Sequence, residues 1–289
     1  MRHLLSIAFA GAIAVFPTAH AEPIRIVAAE SVYGDICRQI GGDDVAVVSV
    51  LADPAVDPHA FEPSASTARH VAQARLVVFN GAGYDTWMTK IMAAATSSSR
   101  ETIEVARLAG RKPGDNPHVW YDPSAVSALA AELAARLSRI DPVHRAGYAA
   151  RLAAFEASMR PLRARIAALR ARHAGKAVTA TEPVFEYMAE ALGLEMRNRH
   201  FQLAIMNETE PSAKDIAAFE SDLRTRIVQT LLFNTQTRGG IAERMRAIAV
   251  ASGVPIVGVR ETEPPGLDYP HWMLRQLDDL DRALGGRQR

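Results

Sequence analysis

Residues 142–174, PVHRAGYAARLAAFEASMRPLRARIAALRARHA, decide the fold. Phe155, Met159, Leu162, Ile166 and Leu169 fall at three- and four-residue spacing, the period of a helix with one apolar face. Ala, Arg, Leu and Glu fill most other places, so the segment reads as one long amphipathic helix. Pro161 lies inside the pattern. It is expected to kink the helix or divide it in two, because proline removes a hydrogen bond and crowds the preceding turn. The arginines from Arg160 to Arg172 alternate with alanines at helical period and read as a solvated face rather than an anion site.

On both sides of this helix the chain alternates strand and helix. Ile24–Ala28, Val45–Val50 and Leu76–Asn80 are short apolar, β-branched runs. Helical segments follow over Ser31–Ile40, stopped by Gly41-Gly42, over Ser64–Ala74 with Ser64 as N-cap, and over Thr86–Ala95. Downstream, strands are expected at Ala177–Thr181, Thr230–Asn234 and Val254–Val259, with helices at Val184–Leu192, Gly240–Ser252 and Pro270–Leu284. Such alternation implies parallel sheets with crossover helices, and binding groups at the carboxyl ends of the strands. The expected architecture is α/β: a lobe over 22–141, a rigid linking helix over 142–174, and a second lobe over 175–289, with a site in the cleft between them.

The first 21 residues have a short polar head at Arg2-His3, an apolar run from Leu4 to Phe16, and Ala19-His20-Ala21 as a small-x-small cleavage site. This is the pattern of a cleavable signal peptide, which places the mature chain in the periplasm. No cysteine stands at the cleavage point for lipid attachment. The chain carries 33 Lys+Arg against 32 Asp+Glu, and the only one of these in the leader is Arg2, so the mature charge balances. That balance argues against nucleic acid or an anionic membrane as partner. Cys37, the single cysteine, cannot form an internal disulfide and has the setting of a small core residue.

Two segments carry the chemistry. In Asp57-Pro58-His59 and Asn116-Pro117-His118, a proline stiffens a turn that ends in histidine. Imidazoles aimed before an ion arrives suit metal coordination. Glu182, at the junction of strand Ala177–Thr181 and the next helix, is the third candidate. After the last strand, Glu261, Glu263 and Asp268 compete for a fourth place, and strand alternation puts Glu261 and Glu263 on one side. Of the remaining histidines, His70 reads as exposed, and His144 and His173 as surface or capping residues bracketing the long helix. His271 stands near a helix start, and His200 reads as a loop residue. Trp87, Trp120 and Trp272 read as core.

Taken together, the chain resembles the zinc/manganese-specific solute-binding proteins of ABC importers. The resemblance rests on Asp57-Pro58-His59 with Glu62-Pro63, on Ala74-Arg75-Leu76-Val77-Val78-Phe79-Asn80-Gly81, on Asn116-Pro117-His118-Val119-Trp120-Tyr121-Asp122-Pro123, and on Phe185-Glu186-Tyr187-Met188-Ala189 before Gly193-Leu194. It covers nearly the whole mature chain. It implies two β/α lobes on a rigid helix and a metal held between them by His59, His118, Glu182 and Glu263. Glu263 stands where that family usually has Asp, with Glu261 and Asp268 as the alternatives. The implied role is capture of Mn²⁺ or Zn²⁺ and delivery to a membrane permease driven by a cytoplasmic ATPase. The chain is expected to act as a monomer, without a catalytic cofactor and not as an enzyme. Glu182 in place of a third histidine, and the short histidine-free stretch Arg111–Asp115, tilt the expectation toward manganese. The alternatives are a metal-dependent hydrolase, for which no His-Glu-x-x-His, Gly-x-Ser-x-Gly or phosphate loop speaks, and a periplasmic metallochaperone or adhesin.

Overall fold

The structure, a computed structural model, describes residues 22–56, 58–236 and 239–285, except for the side chain of His59. The expected leader, residues 1–21, and Asp57 of the first histidine turn lie outside the described residues.

The first lobe runs β1 (Ile24–Glu30), α1 (Ser31–Gly41), β2 (Val45–Leu51), α2 (Ala65–Gln73), β3 (Leu76–Phe79), α3 (Thr86–Ala94), β4 (Glu101–Glu104), α4 (Val105–Leu108) and α5 (Pro123–Ile140). The linking helix is α6 (Arg145–His173), entered through a 3₁₀ turn at Pro142–His144. The second lobe runs β5 (Ala177–Ala180), α7 (Glu186–Ala191), β6 (Glu195–Arg197), α8 (Arg199–Met206), α9 (Ala213–Arg224), β7 (Leu231–Asn234), α10 (Gly240–Ser252), β8 (Ile256–Val259) and α11 (Tyr269–Leu284).

Each lobe holds a four-stranded parallel sheet, in the orders β2-β1-β3-β4 and β6-β5-β7-β8. The two orders are equivalent. In each, the chain leaves the first strand toward one edge and returns to the other side, so a crevice opens at the carboxyl ends of the two central strands. Those ends carry Glu30 and Asn80 in the first lobe, Glu182 and Asn234 in the second. Local signals explain the starts of the helices. The Ser64 hydroxyl accepts the Thr67 N–H at 3.2 Å at the head of α2, and Asp122 and Asp268 cap α5 and α11 ahead of prolines.

Helix α6 is unbroken, contrary to the expectation at Pro161. Buried side chains stand on both sides of the proline: Tyr148, Phe155 and Met159 before it, Leu162, Leu169 and His173 after it. They pack α6 against α1, α5 and α11, and Pro161 itself faces solvent. Packing holds the axis where local propensity would bend it. His173 departs from its expected surface place. It is 6% exposed, and its Nε2 lies 2.7 Å from Asp281 of α11. The largest core runs without interruption from β1 and α1 through α5 and α6 to α11, so the lobes share apolar packing as well as a linker.

Candidate metal centre

Three loops at strand or turn ends bring ligating atoms together. Glu182 follows β5 in extended backbone, just ahead of the 3₁₀ turn Pro183–Phe185. Glu261 lies two residues past β8. His118 precedes the 3₁₀ turn Val119–Tyr121 in the first lobe. One ligand atom from each of the three lies within 4.8 Å of the others, and all three residues are buried. His118 Nε2 is 3.4 Å from Glu261 Oε2.

Each member is aimed by neutral partners. Asn116 Nδ2 donates to the Pro183 carbonyl at 2.7 Å and to Glu186 at 3.0 Å, which turns its Oδ1 toward His118. That oxygen lies 2.7 Å from His118 Nδ1. The proton is thus held on Nδ1, and the Nε2 lone pair faces the carboxylates. Asn80 donates to the Pro117 carbonyl at 2.8 Å and fixes the loop from below. Trp120 and Tyr84 meet the imidazole edge to face. Across the cleft, Asn234 Nδ2 donates to Glu182 Oε2 at 2.7 Å and Glu261 Oε1 at 2.6 Å, and so spaces the two carboxylates. Tyr84 donates to Glu261 Oε2 at 2.8 Å. Burial, and then the charge of Glu261, push the Tyr84 phenol well above its ordinary range, so it remains a donor.

The positions of Glu261 and Glu263 depart from strand alternation. Gln236 Oε1 accepts both the Glu261 N–H (2.7 Å) and the Thr262 N–H (3.1 Å). Two successive N–H groups converge on one acceptor only where the backbone has left the extended form, so the period of two is lost beyond Val259. Glu261 then joins His118 and Glu182, while Glu263 turns to the Ser31–Asp35 side, where its N–H donates to Ser31 Oγ at 3.0 Å. Burial, then the nearby charge of Asp35, push the Glu263 carboxyl up to about 9. Asp268 caps α11 through the His271 N–H and stands outside the group. The His59 side chain lies outside the described residues; its backbone is in the 3₁₀ turn Pro58–Ala60. His200 is exposed on α8, not on a loop, and His70, His144 and His271 are exposed. Trp120 and Trp272 are core residues, whereas Trp87 is half-buried against Phe61. Cys37 is buried, and burial pushes its thiol up to about 12.

Tyr84, Asn116, Asn234 and Gln236 were not singled out from sequence. The available signal was an amide ending each buried central strand, Asn80 after β3 and Asn234 at β7, where a strand would ordinarily stay apolar.

Two parallel β/α lobes on a continuous helix, with an imidazole and two carboxylates gathered between them, define a solute-binding protein of the metal-importer class. The chain belongs to the family described as ZnuA, zinc-uptake complex component A, periplasmic, whose model matches residues 26–283. It is 25% identical over 251 residues to the manganese ABC transporter substrate-binding lipoprotein PsaA of Streptococcus pneumoniae, covering 81% of this chain and 78% of that protein. It is 23% identical over 291 residues to the iron ABC transporter substrate-binding lipoprotein MtsA of Streptococcus pyogenes serotype M1, covering 92% and 91%. Among solved structures, the periplasmic zinc binding protein TroA from Treponema pallidum superposes with a TM-score of 0.75 at 20% identity, over 90% of this chain and 98% of that chain. At that identity the likeness is one of fold.

Proposed function

We propose that this protein captures a divalent transition-metal ion, Mn²⁺ or Zn²⁺, through His59, His118, Glu182 and Glu261, and delivers it to an ABC-type permease. The observation that carries the reading is the convergence of His118, Glu182 and Glu261 in a buried cleft. Buried carboxylates are stable only with compensating charge, and a divalent cation matches two of them. His59, on the Pro58–Ala60 turn, is the proposed second imidazole, for a set of two nitrogens and two oxygens. This set balances borderline and hard donors, which suits Mn²⁺ while still binding Zn²⁺ strongly. Glu261 is our choice for the fourth place first expected of Glu263, since it groups with His118 and Glu182 while Glu263 faces the Ser31–Asp35 side.

The family is one of substrate-binding components, and the same role here is carriage without chemical change. We place the chain in the periplasm after removal of residues 1–21, as a monomer serving a permease with a cytoplasmic ATPase. Binding should weaken as pH falls, since protons compete for the imidazoles and carboxylates.

Metal analysis of chelator-stripped protein offered Mn²⁺, Zn²⁺ and Fe²⁺ together tests the reading. One equivalent should bind. His118→Ala and Glu182→Ala should each lower affinity by more than about 100-fold, beyond the effect of a typical outer-shell residue. Unchanged affinity in both variants would remove the site.

A further inference from the structure

The loop that supplies Glu261 continues into a second concavity. Ser31, Asp35 and Arg38 of α1, Ser49 of β2 and Glu263 help line a cavity of about 390 Å³ between the lobes. Glu263 is 5% exposed, yet neither of its carboxylate oxygens has a hydrogen-bond partner. Its backbone is pinned to Ser31 Oγ across the lobe boundary. Asp35 is fixed through Oδ2, which accepts from Gln39 Nε2 at 2.6 Å and from the Tyr269 N–H at 3.1 Å. Among the described residues nothing donates to Asp35 Oδ1. Arg38 is exposed, donates to Ser49 Oγ at 3.4 Å, and makes no ion pair with either carboxylate among the described residues.

A buried carboxylate without a donor is a cost that a native fold normally offsets. Here the offset is not supplied by a fixed protein cation. The metal-ligand atoms carried by the residues that line the cavity are oxygens, from Asp35, Glu263, Ser31 and Ser49, with no imidazole or thiol. Such a set selects hard cations over the borderline metals that prefer the His118 cluster. At about 30 Å³ per water, the cavity holds a cation with several of its own waters. That is how Ca²⁺ and Mg²⁺ bind where a protein offers only one or two carboxylates. We propose that Asp35 and Glu263, one from each lobe, form a second and weaker site for a hydrated hard divalent cation, Ca²⁺ or Mg²⁺. The ion bridges the lobes beside the transition-metal cluster, and Arg38 competes with it for the same carboxylates.

The full chain, loaded with one equivalent of Zn²⁺ and freed of excess, is titrated with Ca²⁺ and with Mg²⁺ by equilibrium dialysis and calorimetry. A second equivalent should bind with half-saturation on the order of 10⁻⁴–10⁻³ M, the range of weak oxygen-ligand sites. Glu263→Gln and Asp35→Asn should each weaken it at least about tenfold while Zn²⁺ stoichiometry stays at one. Arg38→Ala should tighten it by removing a competing charge. No uptake of either ion up to about 10 mM overturns the proposal, as does undiminished uptake in Glu263→Gln or weaker uptake in Arg38→Ala. Loss of the zinc equivalent in Glu263→Gln also overturns it, by moving Glu263 into the transition-metal cluster. Failure of the wild-type chain to take up zinc, with Ca²⁺ or Mg²⁺ still bound, instead rejects the capture function and leaves this site standing.

Discussion

At the scale of single residues, amides set the chemistry of the cleft. Asn116 decides which nitrogen of His118 meets the metal, because its own Nδ2 is committed to the Pro183 carbonyl and to Glu186. Its oxygen therefore faces His118, accepting the backbone N–H at 3.0 Å and lying 2.7 Å from Nδ1. Asn116→Ala should lower metal affinity about 10–100-fold, the cost typical of removing a ligand's outer partner. Asn116→Asp keeps an acceptor for Nδ1 but sets its other oxygen against the Pro183 carbonyl and Glu186, so it should recover only part of the affinity, as read by competition with a chromophoric chelator. Equal losses in both variants would mean that Asn116 serves the loop rather than the ring. Sequence pointed to His118 because proline advertises a stiff turn, and to Glu182 because a strand-to-helix junction is local. It could not reach Asn116 or Asn234 in the same way. An amide has no chemistry of its own to suggest a role, and what Asn234 does depends on carboxylates 52 and 27 residues away.

At the scale of elements, the long helix shows where packing overrides local preference. Pro161 removes the N–H that would close a turn, yet α6 runs through it because buried residues on both sides are held by α1, α5 and α11. The helix therefore carries a defect that contributes nothing to the apolar face, since Pro161 is exposed. Pro161→Ala restores one hydrogen bond at an exposed position. It should raise stability by roughly 1–3 kcal/mol, seen as a higher urea midpoint with metal affinity unchanged. No gain would mean that α6 has curved to accommodate the ring at no net cost. The strands of the two central pairs were legible from apolar runs alone. Helix α5, 18 residues long, has a helix-start signal in Asp122-Pro123, but that signal is masked in sequence by its overlap with the histidine motif. The edge strands β4 and β6 were also unread: Glu101–Glu104 and Glu195–Arg197 are polar and gain their pairing only from the neighbouring strand.

At the scale of the whole molecule, the shared core and the cleft pull in opposite directions. A continuous apolar core favours one fixed arrangement of the lobes, while a binding cleft concentrates acids inside it. Glu30 is the clearest case. It ends β1 at 3% exposure, and neither of its oxygens receives a donor. Burial, then the charge of Asp85, push its carboxyl well above the ordinary value of 4.5, so it stays protonated beside Asp85. Asp85 holds the Asn80 and Gly81 N–H groups at 2.6 and 2.8 Å, and burial pushes it up to about 6. This arrangement supports the turn at Gly81, where φ is +79° and an added Cβ would strike the Glu104 carboxylate, and so presents Tyr84 to Glu261. The linkage has a definite sign. Between 4.5 and its raised value, Glu30 binds more protons folded than unfolded, so its contribution to stability is lost as pH rises through that window. Glu30→Gln replaces the protonated carboxyl with an amide donor that does not titrate. The variant should therefore gain on wild type as pH increases, with the difference in urea midpoint larger at about pH 9 than at about pH 7.5, a comparison made above the range in which Asp85 titrates. An offset that is the same at both pH values would show that Glu30 is ionised in the folded protein.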